Sequence, residues 1–261
     1  MVDRIAGKTA VAAPVLAPYP QTLLSVLAAG GLLHSDAGNH LVNGVFWESD
    51  TKASVVGNPD VTYDAGTFDS DTKTLDQLIA YTSGMHFELA RYVELGTLAG
   101  GDFPTMQARA LERFSAWESH DVAAHVQTYF DANDTDLTAG GNLSPYDGAA
   151  VLMGAIAPVY PYAPMLFSGR GPAVKLLECG AIELAGGIYA PDSGFAAADN
   201  LTGRMYATGR VAIWRSTPFA TVVLDSPNNM VGAIVECQYY LVVDGPVYSA
   251  TVQLLGQGAS A

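Results

Sequence analysis

Positively charged residues are scarce in this chain. Lysine and arginine together number 12 against 26 aspartates and glutamates, so the formal net charge is −14 at pH 7, and only 15% of the 261 residues are charged. Proteins that bind nucleic acid draw most of their affinity from basic contacts with phosphate, and docking on anionic membranes uses the same charges. The composition therefore argues against a nucleic-acid-binding protein and against a protein that docks on a membrane.

Cysteines and long apolar runs are also few. Cys179 and Cys237 are the two cysteines, and their spacing matches no CxxC or Cys/His zinc pattern. Both stand in apolar segments, a predicted helix and a predicted strand, which predicts inert core thiols. No run of about 20 apolar residues predicts a transmembrane helix, and Pro14, Pro18 and Pro20 interrupt the segment where a signal peptide would lie. These features favour a protein made, or assembled, in the cytosol.

No motif in the sequence predicts a reaction, since GxSxG, HExxH and P-loop patterns do not occur. The densest cluster of titratable residues is SAWESHDVAAHVQTYF, residues 115–130. In a helix His120 and His125 point about 140° apart, whereas zinc needs three or four converging ligands. We interpret the run as a solvated or interface face of a helix, with Asp121 and His125 as an i,i+4 pair; a metal site is the alternative.

A second acidic run, DANDTDLTAGGN at 131–142, has some features of a calcium loop. Asp131, Asn133 and Thr135 match the first three ligand positions of an EF-hand. Asp136 stands where glycine is required, and Asn142 stands where the bidentate glutamate is required. We interpret this run as a polar linker, with calcium binding as the alternative, and we expect no cofactor.

The first half of the chain divides into three predicted segments. Residues 1–38 form an Ala/Pro-rich arm and a short apolar helix that ends at Gly30-Gly31. Residues 39–83 form an extended acidic loop, whose turn residues and lack of a core mean that it must rest on a neighbour. Residues 84–138 begin with an alternating strand at 86–95.

A long helix follows that strand, from Pro104 to about residue 130, with proline favourable in the first turn. At 1.5 Å per residue it would be about 39 Å long. Its helical spacing predicts one apolar packing stripe. The members of this stripe are Met106, Ala110, Leu111, Phe114, Trp117, Asp121/Val122, His125/Val126 and Tyr129.

Residues 139–261 alternate short helices and strands, which predicts an α+β domain. A helix start is marked by Ser144 with Asp147 three residues on, and Gly180 would end a helix that begins at Pro172. Strands are predicted at 163–168, 206–214, 220–224, 231–243 and 247–255. Asp244-Gly245 predicts an antiparallel hairpin between the last two.

Several residues are candidates for a subunit interface rather than for chemistry. Aromatic side chains lie on extended segments that have no core of their own, and such surface is usually buried by a neighbouring subunit. Arg170, at the start of a predicted helix, is as well suited to a subunit contact as to an anion site. The full set of candidates is Phe46, Trp47, Tyr63, Phe68, Trp117, His120, His125 and Arg170.

The order of these parts resembles the Hong Kong 97-type fold of tailed-bacteriophage major capsid proteins. ALERFSAWESHDVAAHVQTYF is similar to the spine helix of that family, and YATGRVAIWRS with NNMVGAIVECQYYLVV is similar to strands of actinophage-type head proteins. The resemblance implies an N-terminal arm at 1–38, an extended E-loop at 39–83, a P-domain at 84–138 and an α+β A-domain at 139–261.

The resemblance also implies a function. The chain would be a structural protein without catalytic residues, cofactor or metal, which assembles with itself into hexamers and pentamers of an icosahedral shell around double-stranded DNA. Portal, scaffolding and decoration proteins would be further partners, and the location would be the virion capsid, assembled in the host cytoplasm. An encapsulin-type nanocompartment shell, another virion protein of the tail or head surface, and an enzyme of unknown chemistry are the alternatives.

Overall fold

The computed structural model describes residues 22–35, 46–49, 80–97, 103–138, 141–185, 188–190, 195–197, 203–225, 227 and 230–253. The helices in these ranges are α1 (Leu23–Ala29), α2 (Phe103–Asn133), α3 (Pro145–Ile156) and α4 (Arg170–Glu178). The strands are β1 (Leu33–Ser35), β2 (Phe46–Ser49), β3 (Ala80–Ser83), β4 (Met85–Thr97), β5 (Asp134–Asp136), β6 (Met165–Ser168), β7 (Glu183–Ala185), β8 (Ile188–Ala190), β9 (Phe195–Ala197), β10 (Arg204–Thr208), β11 (Val211–Arg215), β12 (Phe219–Asp225), β13 (Met230–Val243) and β14 (Val247–Thr251).

The long helix α2 confirms the helix predicted from residue 104, and it continues three residues beyond the predicted end. Its 31 residues span about 46 Å. Most of its buried residues stand four apart, in the row Met106, Ala110, Phe114, Glu118, Val122, Val126 and Phe130. Because four residues turn a helix by about 400°, each step moves the row by about 40° and the whole row winds about 240° around the axis.

This winding lets α2 contact two sheets. Near its start, Gln107 donates a hydrogen bond to the Ala220 carbonyl in one sheet, at 3.2 Å. At its end, the ring of Phe130 lies 5.1 Å from that of Phe167 and 5.3 Å from that of Tyr206, both in the other sheet. The predicted stripe was right for Val122 and Val126 but wrong for two members, since Leu111 and Trp117 are exposed.

The first sheet is built around the long strand β13. Its strand order is β1-β11-β13-β12, and β4 pairs antiparallel with β13 along most of its length. The register shifts between Ala233 and Ile234, where Val93 has no paired residue. The strand predicted at 86–95 is confirmed, but the shift means that its two-residue alternation does not run unbroken through Val93.

The second sheet has the order β5-β14-β10-β6-β9, with α3 and α4 packed beside it. The predicted start of α3 is confirmed, because the Ser144 hydroxyl accepts a hydrogen bond from the Asp147 backbone N–H at 3.1 Å. Gly180 follows α4 with a φ of 72°, which glycine adopts without strain. Mixed helix and sheet confirm the predicted α+β class.

Two strand predictions in this half were wrong. Residues 206–214, predicted as one strand, form β10 in the second sheet and β11 in the first. The chain crosses at Gly209, where an added Cβ would lie 2.1 Å from the Asp244 carbonyl oxygen. The predicted hairpin of β13 and β14 is also a crossover, because β14 pairs with β10 and β5. The Asp244 N–H donates to the Arg210 carbonyl at 2.8 Å, so the two crossovers run side by side.

The two cysteines differ in their exposure to solvent. Cys237 is buried, as predicted, and burial raises the pKa of its thiol. Cys179 is exposed, which corrects the prediction of a core thiol; it lies just past the end of α4, where its thiol donates to the Leu176 carbonyl at 3.3 Å.

The predicted domain boundaries remain predictions. Of the extended loop at 39–83, the described part is β2 and β3, which pair antiparallel. Tyr63, Phe68 and residues 1–21 lie outside the described residues. The described helices include none that is both long and apolar enough to cross a membrane.

Candidate interaction surface

An exposed aromatic and charged surface lies where β4 meets the middle of α2. The Trp117 side chain is 51% exposed, and the guanidinium carbon of Arg91 lies 5.2 Å from the centre of its ring. The His120 ring meets the Trp117 ring edge-on at 5.6 Å. We call Arg91, Trp117, His120 and Asp121 the Trp117 surface.

Hydrogen bonds hold this surface in place. Arg91 donates through Nε and Nη2 to the two carboxylate oxygens of Asp121, at 2.8 and 3.0 Å. Nδ1 of His120 lies 3.3 Å from Oδ1 of Asp121. Asp121 thus pairs with Arg91 across two elements, which corrects the predicted pairing with His125 along the helix. A bidentate Arg–carboxylate pair fixes the guanidinium plane beside the indole.

The side chains of the Trp117 surface are of types that are enriched at protein interfaces. Tryptophan and arginine are the side chains that most often carry the binding energy of protein interfaces. Within the described residues no group of three or more His, Cys, Asp or Glu side chains is arranged to hold a metal ion. The surface offers an exposed aromatic ring and a guanidinium held beside it.

The two histidines of the cluster face different surroundings. The His125 ring stacks on Phe87 with a centroid distance of 4.7 Å, and Phe87 stacks on Tyr239 at 5.0 Å. His125 is therefore half-buried against its own first sheet, whereas His120 belongs to the Trp117 surface. The two histidine rings thus point in different directions, as the helical spacing predicted.

Glu118, beside Trp117, is buried and belongs to a polar network between α2 and the first sheet. Its side chain receives hydrogen bonds from Nε and Nη2 of Arg215, the latter at 2.7 Å, and from the Tyr239 hydroxyl at 2.5 Å. Burial, together with the negative charge of Glu118, raises the pKa of Tyr239 well above its ordinary value. This Glu118 network corrects the interpretation of the whole run as a solvated or interface face.

A second network ties the end of α2 to β10. Arg204 donates to Asp131, Asp134 and Asp136, each at 3.1 Å. The Tyr206 hydroxyl donates to Asp131 at 2.7 Å, and burial followed by that bond raises the pKa of Tyr206. We call these residues the Arg204 network. The three aspartates belong to the run considered above for calcium binding, and here they accept hydrogen bonds from the Arg204 guanidinium.

Three other interface candidates lie in described elements. Arg170 is exposed at the first position of α4. Phe46 and Trp47 lie in β2, in register with Ser83 and Thr82 of β3. The structure thus brings together Trp117 and His120 of the candidates, and their role as interface residues stays a prediction.

The sequence patterns did not identify the residues around which the surface and the two networks form, namely Arg91, Glu118 and Arg204. A signal existed for Glu118, which occupies the fourth position in the buried row of α2 and is the row's one charged member. A charge in an apolar row implies a buried partner. No local signal marks Arg215 or Tyr239 as that partner, since they are 97 and 121 residues away.

The chain has the Hong Kong 97-like fold of tailed-phage capsid proteins, as solved structures show. A solved structure from Mycobacterium phage Che8 is 12% identical in sequence and superposes with a TM-score of 0.52. The match covers 96% of this chain and 98% of the Che8 chain. The capsid of Ralstonia phage GP4 is 8% identical, with a TM-score of 0.53, covering 98% of each chain. At these identities the likeness is one of fold. No family model and no curated protein matches the chain.

Proposed function

We propose that the chain is a structural subunit, not an enzyme, that assembles with copies of itself into a capsid shell. The observation that carries this proposal is the fold shared with the capsid of Ralstonia phage GP4 over 98% of both chains.

The described surface supports assembly. Among the described residues, large apolar side chains are exposed on α2, α3, α4, β12 and the loop before β6: Phe103, Leu111, Trp117, Tyr146, Val151, Tyr162, Val174, Leu177, Phe219 and Leu224. Where such side chains lie close together, they mark association sites. Burial in a neighbour would contribute about 25 cal/mol for each Å² removed from water.

The finer proposal follows the family resemblance. The shell would be icosahedral, built of hexamers and pentamers, and would enclose double-stranded DNA in a virion assembled in the host cytoplasm. The extended loop at 39–83 would lie over an adjacent subunit, and α2 would support contacts at local threefold positions. Portal, scaffolding and decoration proteins would be its partners, and His120 and His125 would make subunit contacts sensitive to pH.

The test is negative-stain microscopy of the purified full-length chain with Trp117→Ala and Trp117→Phe as matched variants. We expect uniform closed particles from the parent, fewer from Trp117→Ala, and near-parental yield from Trp117→Phe, because phenylalanine keeps most of the apolar area. The melting temperature should stay unchanged in both, since the side chain is half exposed. A homogeneous compact monomer under all assembly conditions, with a radius of gyration near 18 Å, would contradict the proposal.

A further inference from the structure

The outer side of α3 carries no charge beyond its first turn. The helix has one charged residue, Asp147 in that turn, and from 148 to 169 the sequence has none. Helices at a protein surface normally carry charged or polar side chains on the side that faces water. On α3 that side presents Tyr146 and Val151, which are 58% and 40% exposed. One side of this surface helix is therefore apolar.

Two small residues continue this side of the helix. Ala150 and Gly154 are exposed and follow Tyr146 at intervals of four, so the three residues form one row along α3. The distance between packed helices depends on the side chains at their contact. A row with a methyl group at Ala150 and a hydrogen at Gly154 thus lets another backbone come close. We call Tyr146, Ala150, Val151 and Gly154 the α3 face.

The two glycines of α3 differ in what surrounds them. A Cβ added at Gly148 would lie 2.6 Å from Cγ1 of Val252, so the packing of the chain itself requires glycine there. A Cβ added at Gly154 would have no atom of the described residues within 4 Å, apart from the adjoining backbone of its own helix. Glycine inside a helix is less stable than alanine. The fold of one copy thus gives no steric reason for glycine at 154, whereas the close approach of a second molecule does.

We propose that the α3 face is covered by a second copy of the chain, whose backbone approaches α3 closely at Gly154. The chain carries a charge of −14, so two copies repel each other. An uncharged face is where they can approach with the least repulsion. This inference rests on the proposed function, because it assigns one contact of the proposed shell.

The size of the α3 face favours a copy of the chain over a separate protein. The 12-residue helix is about 18 Å long and about 10 Å across. A standard interface buries about 800 Å² on each partner, well above what one side of such a helix supplies. A separate protein bound here alone would be held weakly, whereas a copy held by the other contacts of a shell can use a small face.

Gly154→Ala in the full-length chain tests whether this glycine serves the fold or the contact. We expect the melting temperature of dissociated subunits to rise, because alanine favours the helix. We expect the subunit concentration needed for particle formation to rise about tenfold or more, because the added methyl group stands in the contact. A lower melting temperature, or particle formation at the parental concentration, would overturn the inference.

Gly148→Ala is the matched control in the same helix. Its methyl group clashes with Val252, so we expect the melting temperature to fall, opposite to the shift in Gly154→Ala. Gly154→Leu places a larger side chain on the α3 face and should impair particle formation more than Gly154→Ala does. A Gly154→Leu variant that assembles like the parent would overturn the inference.

A labelling test asks what covers the face. Val151→Cys in a Cys179→Ser background leaves Cys237 as the other thiol, and Cys237 is buried. We expect N-ethylmaleimide to label position 151 rapidly in dissociated subunits and slowly in particles assembled from the purified chain. Equal labelling rates in the two states would overturn the inference. Protection seen only in particles that contain another protein would also overturn it, since that protein would then be the occupant.

The two proposals fail differently. If the parent chain forms no particles, the proposed function fails, and the contact on α3 fails with it. If the parent forms particles while Gly154→Ala assembles like the parent and position 151 is labelled equally in both states, the shell remains and the contact on the α3 face is overturned.

Discussion

The Glu118 network and the Arg204 network use the same side chains in different surroundings. Each joins α2 to a sheet through carboxylate, arginine and tyrosine. Glu118 is 5% exposed and meets one arginine, whereas Arg204 meets three aspartates in a partly solvated position. Buried ion pairs are costly to break, while exposed pairs contribute little. We therefore expect burial, rather than the number of hydrogen bonds, to decide how strongly each network stabilises the packing of α2 on its sheet.

The largest expected effect is that of Glu118→Ala. It leaves the Arg215 guanidinium and the Tyr239 hydroxyl without their acceptor in a buried position. We expect the free energy of unfolding to fall by about 3 kcal/mol, measured by urea unfolding of the full chain at fixed protein concentration. Glu118→Gln, which retains an acceptor of the same shape, should cost clearly less. Equal losses in the two variants would mean that packing, not the ion pair, is what the network supplies.

A pair of Tyr→Phe substitutions compares the two networks directly. Tyr239→Phe removes a donor from the buried Glu118, and we expect a loss of about 2 kcal/mol. Tyr206→Phe removes the donor to the partly exposed Asp131, which water can replace, and should cost about 1 kcal/mol or less. Both losses are read from the shift of the urea midpoint at constant slope. A larger loss at Tyr206 would reverse the ranking of the two networks.

Arg204→Met tests how far solvent weakens the second network. It leaves Asp131, Asp134 and Asp136 close together without a cation, but in contact with water. We expect a loss of about 1 kcal/mol at low salt that shrinks as salt screens the aspartates. Unfolding in 0.05 and 1 M sodium chloride provides the comparison, and a loss independent of salt would indicate a packing role.

The smallest effect concerns pH. A hydrogen bond from Thr138, followed by the charge of Arg204, lowers the pKa of Asp136. A lowered pKa contributes stability above the unfolded value, near 3.9, and this contribution is lost as the pH falls through the folded value. Asp136→Asn should therefore cost about 0.5 kcal/mol at pH 7, and this cost should shrink as the pH falls below the unfolded value. A cost that does not shrink on acidification would exclude the carboxylate charge as its source.

Much of the fold was predictable because it is local. The i,i+4 spacing of apolar residues predicted α2, Ser144 with Asp147 predicted the start of α3, and Gly180 predicted the end of α4. The crossovers at Gly209 and Asp244 were not predictable. Alternation gives the faces of a strand but not the sheet that it joins, so β10 and β11 looked like one strand.

The candidate surface was predictable in its residue types only. Trp117 and His120 were recognised as interface candidates from their aromatic and polar character on a helix. Arg91 was not recognised, because its partner Asp121 is 30 residues away. Which side of α2 is covered depends on where both sheets lie, and helical periodicity contains no such information.

By itself the sequence determined the presence and start of α2, the α+β class and the acidic charge. Each follows from the composition or spacing of neighbouring residues. The tertiary structure decided that Glu118 is buried and Trp117 exposed, and that Asp121 pairs with Arg91. These depend on contacts between residues far apart in the chain, whose approach is set by the packing of one helix against two sheets.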